Sequence, residues 1–176
     1  MQIQGNRYCR WRDCLRGRIH RYIRAEKYGE MSNTNSEKNP LAKWFDSYYE
    51  KVKAIIVAEN LTIHQIPDFF LYDNLSKKYP DFCPLYKSGE FCHSGIERKK
   101  FCCLFCGCPF YDYSIWDDEQ KIFGGCSINS KFGFRLENGF WDCTNCNFVH
   151  NLDWVKSNRK VIEELLTWIG IYEQKR

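Results

Sequence analysis

The stretch FCCLFCGCPFY at residues 101–111 has four cysteines among its eleven residues. A further C-T-N-C follows at residues 143–146, and nine of the eleven cysteines in the chain lie between Cys83 and Cys146. Cytoplasmic thiols are kept reduced, so clustered cysteines there are typical of metal sites rather than of disulfides. The sequence therefore predicts that these thiols bind metal.

The rest of the composition is typical of a folded cytoplasmic protein. Hydrophobic residues make up 44% of the 176 residues, which is too many for a disordered chain. Arginines are spread through the first 24 residues, without the apolar segment of a secretory signal peptide. No apolar run approaches the roughly 20 residues that cross a bilayer. We therefore expect a cytoplasmic localisation and no membrane partner.

Two C-x-x-C pairs, Cys103/Cys106 and Cys143/Cys146, predict the first metal site. A C-x-x-C turn points two sulfurs at one centre, and its backbone N–H groups donate to the thiolates. Two such turns supply a tetrahedral four-thiolate site, for which zinc is the first choice and an iron–sulfur cluster the alternative. The C-x₂-C-x-C spacing at 103–108 departs from the C-x₂-C-x₂-C of bacterial ferredoxins, which favours zinc.

The remaining thiols and two histidines predict a second site, so that two zinc ions are expected in all. We favour Cys92 or His93, with Cys108, Cys126 and His150, because His150 follows Cys146 at C-x₃-H spacing. Four ligands are to be drawn from a set of seven side chains: Cys83, Cys92, Cys102, Cys108, Cys126, His93 and His150.

Helical periodicity surrounds this cysteine-rich region. Asn39-Pro40 is typical of a helix start, and apolar residues recur at helical spacing from 40 to about 59. A second helix is predicted from Pro67 to just before Tyr79-Pro80, since the residue before a proline disfavours helix. After Asn151, a second capping candidate, an apolar stripe continues to the C-terminus.

One hairpin signal lies inside the cysteine-rich region. Phe132–Leu136 and Phe140–Cys143 flank Glu137-Asn138-Gly139, and Asn-Gly is the strongest short hairpin signal. Cys143 then falls at the end of a strand, where a zinc-ribbon turn belongs. We predict an α+β fold in which helices pack on a small, metal-bound, zinc-ribbon-like hairpin. Its segments are a basic N-terminal helix or extension at 1–31, a helical segment at 32–81, a cysteine-rich metal-binding domain at 82–150 and a C-terminal helix at 151–176 that packs on that domain.

The positive charge of the chain is concentrated in its first segment. Residues 1–30 hold eight basic and three acidic residues, a net charge of +5, which leaves −1 of the total of +4 for residues 31–176. Such a segment offers phosphate contacts to nucleic acid, and it is equally typical of a solvated helix face. Met31 is an alternative start that would leave this segment untranslated.

The cysteine motifs resemble those of the cysteine-rich small domain family of prokaryotes over residues 82–150. The resemblance is carried by F-C-P-L-Y at 82–86, C-H at 92–93, C-L-F-C-G-C-P-F-Y at 103–111, N-G-F-W-D-C-T-N-C at 138–146 and V-H at 149–150. It implies metal binding through the matched residues, which are Cys83, Cys92, His93, Cys103, Cys106, Cys108, Cys143, Cys146 and His150. Members are stand-alone small proteins or appendages of some cobalamin-pathway enzymes. Here Cys126 follows the glycine pair instead of preceding it, and Val149 replaces a proline.

These features favour a zinc protein with structural sites that acts as a protein-binding or accessory module. Filled four-ligand sites leave no open coordination position for catalysis. The sequence contains no H-E-x-x-H, P-loop, G-x-G-x-x-G or G-x-S-x-G motif, so no catalytic residue is predicted. An iron–sulfur redox protein or a metal-dependent enzyme, with Cys102 as a reactive thiol, is the alternative. A nucleic-acid-binding zinc protein that uses residues 1–30 is the third hypothesis.

Overall fold

The computed structural model describes residues 39–172. The basic helix or extension predicted for residues 1–31 lies outside the described residues, and so do residues 173–176. The nucleic-acid contacts expected of residues 1–30 therefore stay a prediction.

The first helix, α1, spans Pro40–Ala58 and confirms the predicted start. The Asn39 side chain caps it by accepting from the backbone N–H groups of Leu41 and Ala42 at 3.0 and 3.2 Å. The same side chain donates to the Tyr113 carbonyl at 2.7 Å, which fixes the helix start to the cysteine-rich region. The buried face of α1 consists of Phe45, Tyr48, Tyr49, Val52, Ile55 and Ile56.

The second predicted helix is interrupted, which corrects the sequence expectation of one continuous helix. It forms two short helices, α2 at Ile66–Phe69 and α3 at Tyr72–Lys78. Between them the backbone pairs with residues 101–103 instead. The backbone N–H of Cys103 donates to the Phe70 carbonyl at 2.7 Å, and that of Tyr72 donates to the Phe101 carbonyl at 2.8 Å. Tertiary hydrogen bonds here replace the helical ones that the periodicity predicted.

A short helix, α4, covers Leu85–Ser88, and three 3₁₀ helices lie at Arg98–Lys100, Cys103–Phe105 and Phe148–His150. The chain ends in α5, Leu152–Ser157, and α6, Arg159–Trp168. Asn151 caps α5 by accepting from the N–H groups of Asp153 and Trp154, as its sequence position predicted. The single C-terminal helix that the sequence predicted is divided at Asn158, which has a non-helical backbone.

Residues 114–147, which precede the last 3₁₀ helix, contain two small antiparallel sheets. We call this segment the ribbon. Strands β1, Trp116–Asp117, and β2, Ile122–Phe123, form one; β3, Phe134–Arg135, and β4, Trp141–Asp142, form the other. The predicted hairpin is confirmed, and Gly139 in its turn has φ +88°. A Cβ atom at this glycine would lie 1.8 Å from the Lys121 carbonyl oxygen, so only glycine fits.

These helices and sheets make an α+β fold, as expected. Its main buried cluster joins α1, the helices α2 and α3, residues 101–113 and the C-terminal helices. None of the fully buried members of that cluster comes from the ribbon. Within residues 39–172, no helix is both long and apolar enough to span a bilayer.

Candidate metal centre

The structure describes nine cysteines. Eight of them divide into two sets according to which thiols act on one another's ionisation, and Cys102 is the ninth. The charges that act on the Cys106 thiol come from Cys103, Cys92 and Cys83. Those that act on the Cys108 thiol come from Cys143, Cys146 and Cys126. We define thiol group 1 as Cys83, Cys92, Cys103 and Cys106, and thiol group 2 as Cys108, Cys126, Cys143 and Cys146.

Thiol group 1 surrounds a cavity of about 150 Å³, which all four of its cysteines line. Much of the remaining wall is aromatic, and Ser47, Lys51 and Glu90 line it too. The aromatic members are Trp44, Tyr48, Tyr72, Phe82, Tyr86 and Phe101. The Tyr86 hydroxyl donates to the Cys103 sulfur at 3.1 Å. Cys103 is buried, whereas Cys92 is exposed. Group 1 is therefore a sulfur-rich pocket in the aromatic core, with one thiol at the surface.

The thiols of group 1 oppose one another's ionisation. A hydrogen bond with Cys103, burial and the charges of Cys103, Cys92 and Cys83 raise the pKa of the Cys106 thiol. Burial, followed by the charges of Cys103 and Cys83, raises the pKa of Cys92 to about 11. Without a cation, Cys92 and Cys106 are therefore neutral thiols at neutral pH. A bound cation would reverse this by compensating the thiolate charges.

Thiol group 2 has the same electrostatic character. Burial raises the pKa of the Cys108 thiol, the backbone N–H of Phe110 lowers it, and the charges of Cys143, Cys146 and Cys126 raise it further. Burial, with the charges of Cys126 and Cys146, raises the pKa of Cys143 to about 12. Cys108 and Cys143 are therefore also neutral thiols until a cation is present.

Polar groups around the sulfurs of group 2 are placed as hydrogen-bond donors to thiolates. The backbone N–H of Ser130 donates to the Cys126 sulfur at 3.3 Å, and the Ser130 hydroxyl lies 3.3 Å from the Cys146 sulfur. The indole N–H of Trp141 is buried and has no hydrogen-bond partner within the described part of the chain. It lies close enough to Cys143 to lower the pKa of that thiol. A thiolate at Cys143 would satisfy this donor.

Helix α1 positions the segment that connects the groups. The Tyr48 hydroxyl donates to the Cys103 carbonyl and the Tyr49 hydroxyl donates to the Gly107 carbonyl. A Cβ atom on Gly107 would lie 2.9 Å from the Tyr49 ring and 3.0 Å from the Tyr48 ring, so glycine allows this close approach. Sequence reasoning missed both tyrosines as site residues; their only signal was adjacent placement on the apolar face of α1.

The two C-x-x-C pairs have different neighbouring thiols, since Cys92 and Cys83 act on Cys106 whereas Cys126 acts on Cys143. Gly107 alone separates Cys106, which belongs to group 1, from Cys108, which belongs to group 2. The single site of Cys103, Cys106, Cys143 and Cys146 stays a prediction. Cys83 and Cys92 join the first pair, and Cys108 and Cys126 join the second.

The two histidines make contacts beside the thiols, and their roles as ligands of the second site stay predictions. The His150 ring is 3% exposed and stacks on Phe101 at a centroid distance of 4.7 Å. Burial and the neighbouring His93 lower the pKa of His150 to about 3. The His93 Nδ1 atom lies 2.8 Å from the Thr144 carbonyl oxygen and donates to it, since a carbonyl only accepts. Both histidines fit structural roles beside the thiols.

Cys102, the candidate reactive thiol, is a core residue. Its side chain is 0% exposed and its sulfur donates to the Pro67 carbonyl at 3.5 Å. Burial raises the pKa of this thiol, which opposes the thiolate that a nucleophile needs. Adjacent Cys103 belongs to group 1, so the two neighbours have different roles.

Within the described ranges, no three histidine, cysteine, aspartate or glutamate side chains are close enough together to hold a metal ion as they stand. Metal coordination would therefore require the sulfurs of each group to converge further. The chemistry of each group suits this, because four thiols and no carboxylate form the donor set of tetrahedral zinc or iron–sulfur sites.

Comparison of the chain with family models, curated proteins and solved structures gives no match.

Proposed function

We propose that the protein binds two metal ions, one in thiol group 1 and one in thiol group 2, and that these ions are zinc. The observation that carries this proposal is that Cys83, Cys92, Cys103 and Cys106, from three separate stretches of chain, line one cavity. The four thiols of group 2 act on one another's ionisation in the same way. A protein interior that used cysteine only as a small apolar residue would scatter these side chains. The resemblance of the motifs to the cysteine-rich small domain family points the same way.

Each residue of the two groups has a defined task in this proposal. The eight sulfurs are the ligands, and zinc would supply the positive charge that keeps them ionised. The Tyr86 hydroxyl and the Ser130 N–H donate to ligand sulfurs and orient them. The Trp141 indole N–H would become a third such donor once Cys143 is a thiolate.

A four-thiolate zinc site has no open coordination position, so the metal would act on structure. In this proposal the protein is an accessory module that recognises a protein partner through its surface, with the metal ions holding that surface in shape. No catalytic residue is assigned, because Cys102 is buried in the core.

An iron–sulfur protein is the second candidate, favoured by the aromatic wall of the group 1 cavity. Six aromatic side chains border the four thiols of this group and would exclude water from a cluster. Cys92 is exposed, so solvent would reach such a cluster at this ligand.

Metal analysis after anaerobic purification tests these proposals. The zinc proposal expects a colourless protein with two zinc ions per chain, whereas an iron–sulfur protein would be brown and contain iron and acid-labile sulfide. A chain that binds neither metal in reducing buffer contradicts both.

A further inference from the structure

The loop at residues 90–95 connects the two thiol groups. It carries Cys92 of group 1 and has no helix or strand of its own. Its first residue, Glu90, is attached to α3, because the Tyr72 hydroxyl donates to the Glu90 carbonyl at 2.9 Å. His93 and Ser94, which follow Cys92, are instead attached to the turn that contains the C-x-x-C pair of group 2.

Two hydrogen bonds make this second attachment. His93 Nδ1 donates to the Thr144 carbonyl at 2.8 Å, and the Asn147 side-chain amide donates to the Ser94 carbonyl. Thr144 lies between the two cysteines of the group 2 turn, and Asn147 directly follows the second of them. The position of Cys92 therefore depends on the conformation of the group 2 turn.

A second connection runs through the backbone. Cys106 of group 1 and Cys108 of group 2 are separated by Gly107 alone, and the carbonyl of this glycine is fixed by the Tyr49 hydroxyl. Movement of one sulfur toward a metal displaces the chain that carries the other. Both connections join ligand-bearing segments, and neither uses a ligand side chain.

We propose that the two sites load with metal cooperatively, and that His93 and Asn147 are the positioning residues that transmit the effect. This inference rests on the proposed function. Metal in group 2 fixes the turn at residues 143–147, the turn holds the loop at residues 90–95, and the loop presents Cys92 to group 1. Because binding linkage is reciprocal, metal in group 1 strengthens binding at group 2 by the same factor.

The experiment is a titration of the metal-free full-length chain with Zn²⁺ under reducing, anaerobic conditions, with native mass spectrometry to count chains with zero, one and two ions. Independent, equal sites would give roughly half of the chains one ion at one equivalent. Cooperative loading shifts the equilibrium from one-ion chains toward chains with no ion and chains with two ions. We expect the constant of that equilibrium to exceed its value for independent sites by at least about fivefold, which is a typical allosteric coupling.

Variants separate the proposed route from general destabilisation. Asn147→Ala and His93→Phe each remove one hydrogen bond, and we expect the one-ion species to rise toward its statistical share. His93→Asn keeps a donor near the position of Nδ1 and is expected to retain the coupling. Asn145→Ala is the matched control, because the Asn145 side chain is exposed and makes no hydrogen bond among the described residues.

The outcomes distinguish the two proposals. A chain that never binds a second zinc ion overturns the proposed function. Two ions bound with a statistical one-ion species overturns the coupling and leaves the function intact. Coupling that persists when Asn147→Ala and His93→Phe are combined overturns the assigned route.

Discussion

Thiol group 1 lies against the helical core, whereas three of the four cysteines of thiol group 2 lie in the ribbon, and only Cys108 packs against that core. Cys103 is part of the main buried cluster, and Cys106 packs against it. Cys143 and Cys146, by contrast, follow strand β4, and none of the fully buried members of the main cluster comes from residues 114–147. Phe123 and Cys146 are buried in this ribbon, but they lie outside the cluster.

This difference indicates what each metal ion would contribute. The backbone that carries Cys103 and Gly107 is held to α1 by the hydroxyls of Tyr48 and Tyr49, and aromatic side chains pack around group 1. The ribbon has four two-residue strands and few buried apolar side chains, so apolar burial offsets little of the conformational entropy of ordering it. If the proposed function holds, the ribbon would depend on its metal ion to fold, whereas the helices would not.

Metal removal should have the largest effect and should separate the two regions. After treatment with a strong chelator, we expect hydrogen exchange at residues 114–147 to accelerate to nearly that of an unfolded chain, while α1 and α6 keep their protection. Zinc contributes on the order of 10 kcal/mol of folding free energy in small zinc peptides, which is ample for this effect. Simultaneous loss of hydrogen-exchange protection in the helices and the ribbon would contradict this difference between the two regions. Unchanged protection of the ribbon would contradict it as well.

Loss of one ligand should have the next largest effect. Cys143→Ser should reduce the zinc content from two ions per chain to at most one, because a hydroxyl does not replace a thiolate ligand at neutral pH. The control is Cys102→Ala, which removes a core thiol outside both groups and should keep two ions. The zinc content of each variant is measured by mass spectrometry. Two zinc ions per chain in Cys143→Ser would show that Cys143 is not a ligand.

The connection between the groups should be sensitive to Gly107. Gly107→Ala places a methyl group against the rings of Tyr48 and Tyr49, and we expect the free energy of unfolding in urea to fall by about 1–3 kcal/mol. Gly89→Asn is the comparison variant, because Gly89 has open space around its Cα and asparagine tolerates its positive φ. Equal stabilities of the two variants would contradict the close packing of α1 on this segment.

The smallest expected effect is confined to one group. Tyr86→Phe removes the hydroxyl that donates to Cys103. Zinc affinity at group 1 should fall by about tenfold, which is the low end of the effect of removing a hydrogen-bond donor to a metal ligand. Tyr79→Phe removes a hydroxyl that donates to Glu59, away from the thiols, and should leave both zinc affinities unchanged. Competition with a chelator measures both. A loss of affinity at group 2 alone would contradict the assignment of Tyr86.

The sequence was most informative where the signal was local. Asn39-Pro40 predicted the start of α1 to the residue, and Glu137-Asn138-Gly139 predicted the hairpin. Both depend on capping and turn chemistry within a few residues. The break between α2 and α3 was not predictable in this way, because it depends on hydrogen bonds from Tyr72 and Cys103 to residues about 30 positions away along the chain.

The grouping of thiols shows the same limit at the candidate site. All eight thiols of the two groups were identified as candidate ligands from their clustering. Spacing could not tell which C-x-x-C pair meets which single cysteine, since that depends on how the chain turns at Gly107. His150, and His93 as an alternative to Cys92, were candidate ligands of the second site, which stays a prediction. In the structure His150 stacks on Phe101 and His93 donates to the Thr144 carbonyl.

The most direct test of the central claim is an anomalous diffraction map at the zinc absorption edge from crystals of the metal-loaded protein. We expect two peaks, one among Cys83, Cys92, Cys103 and Cys106, and one among Cys108, Cys126, Cys143 and Cys146. A single peak between the two C-x-x-C turns, or no peak at either thiol group, would contradict the account.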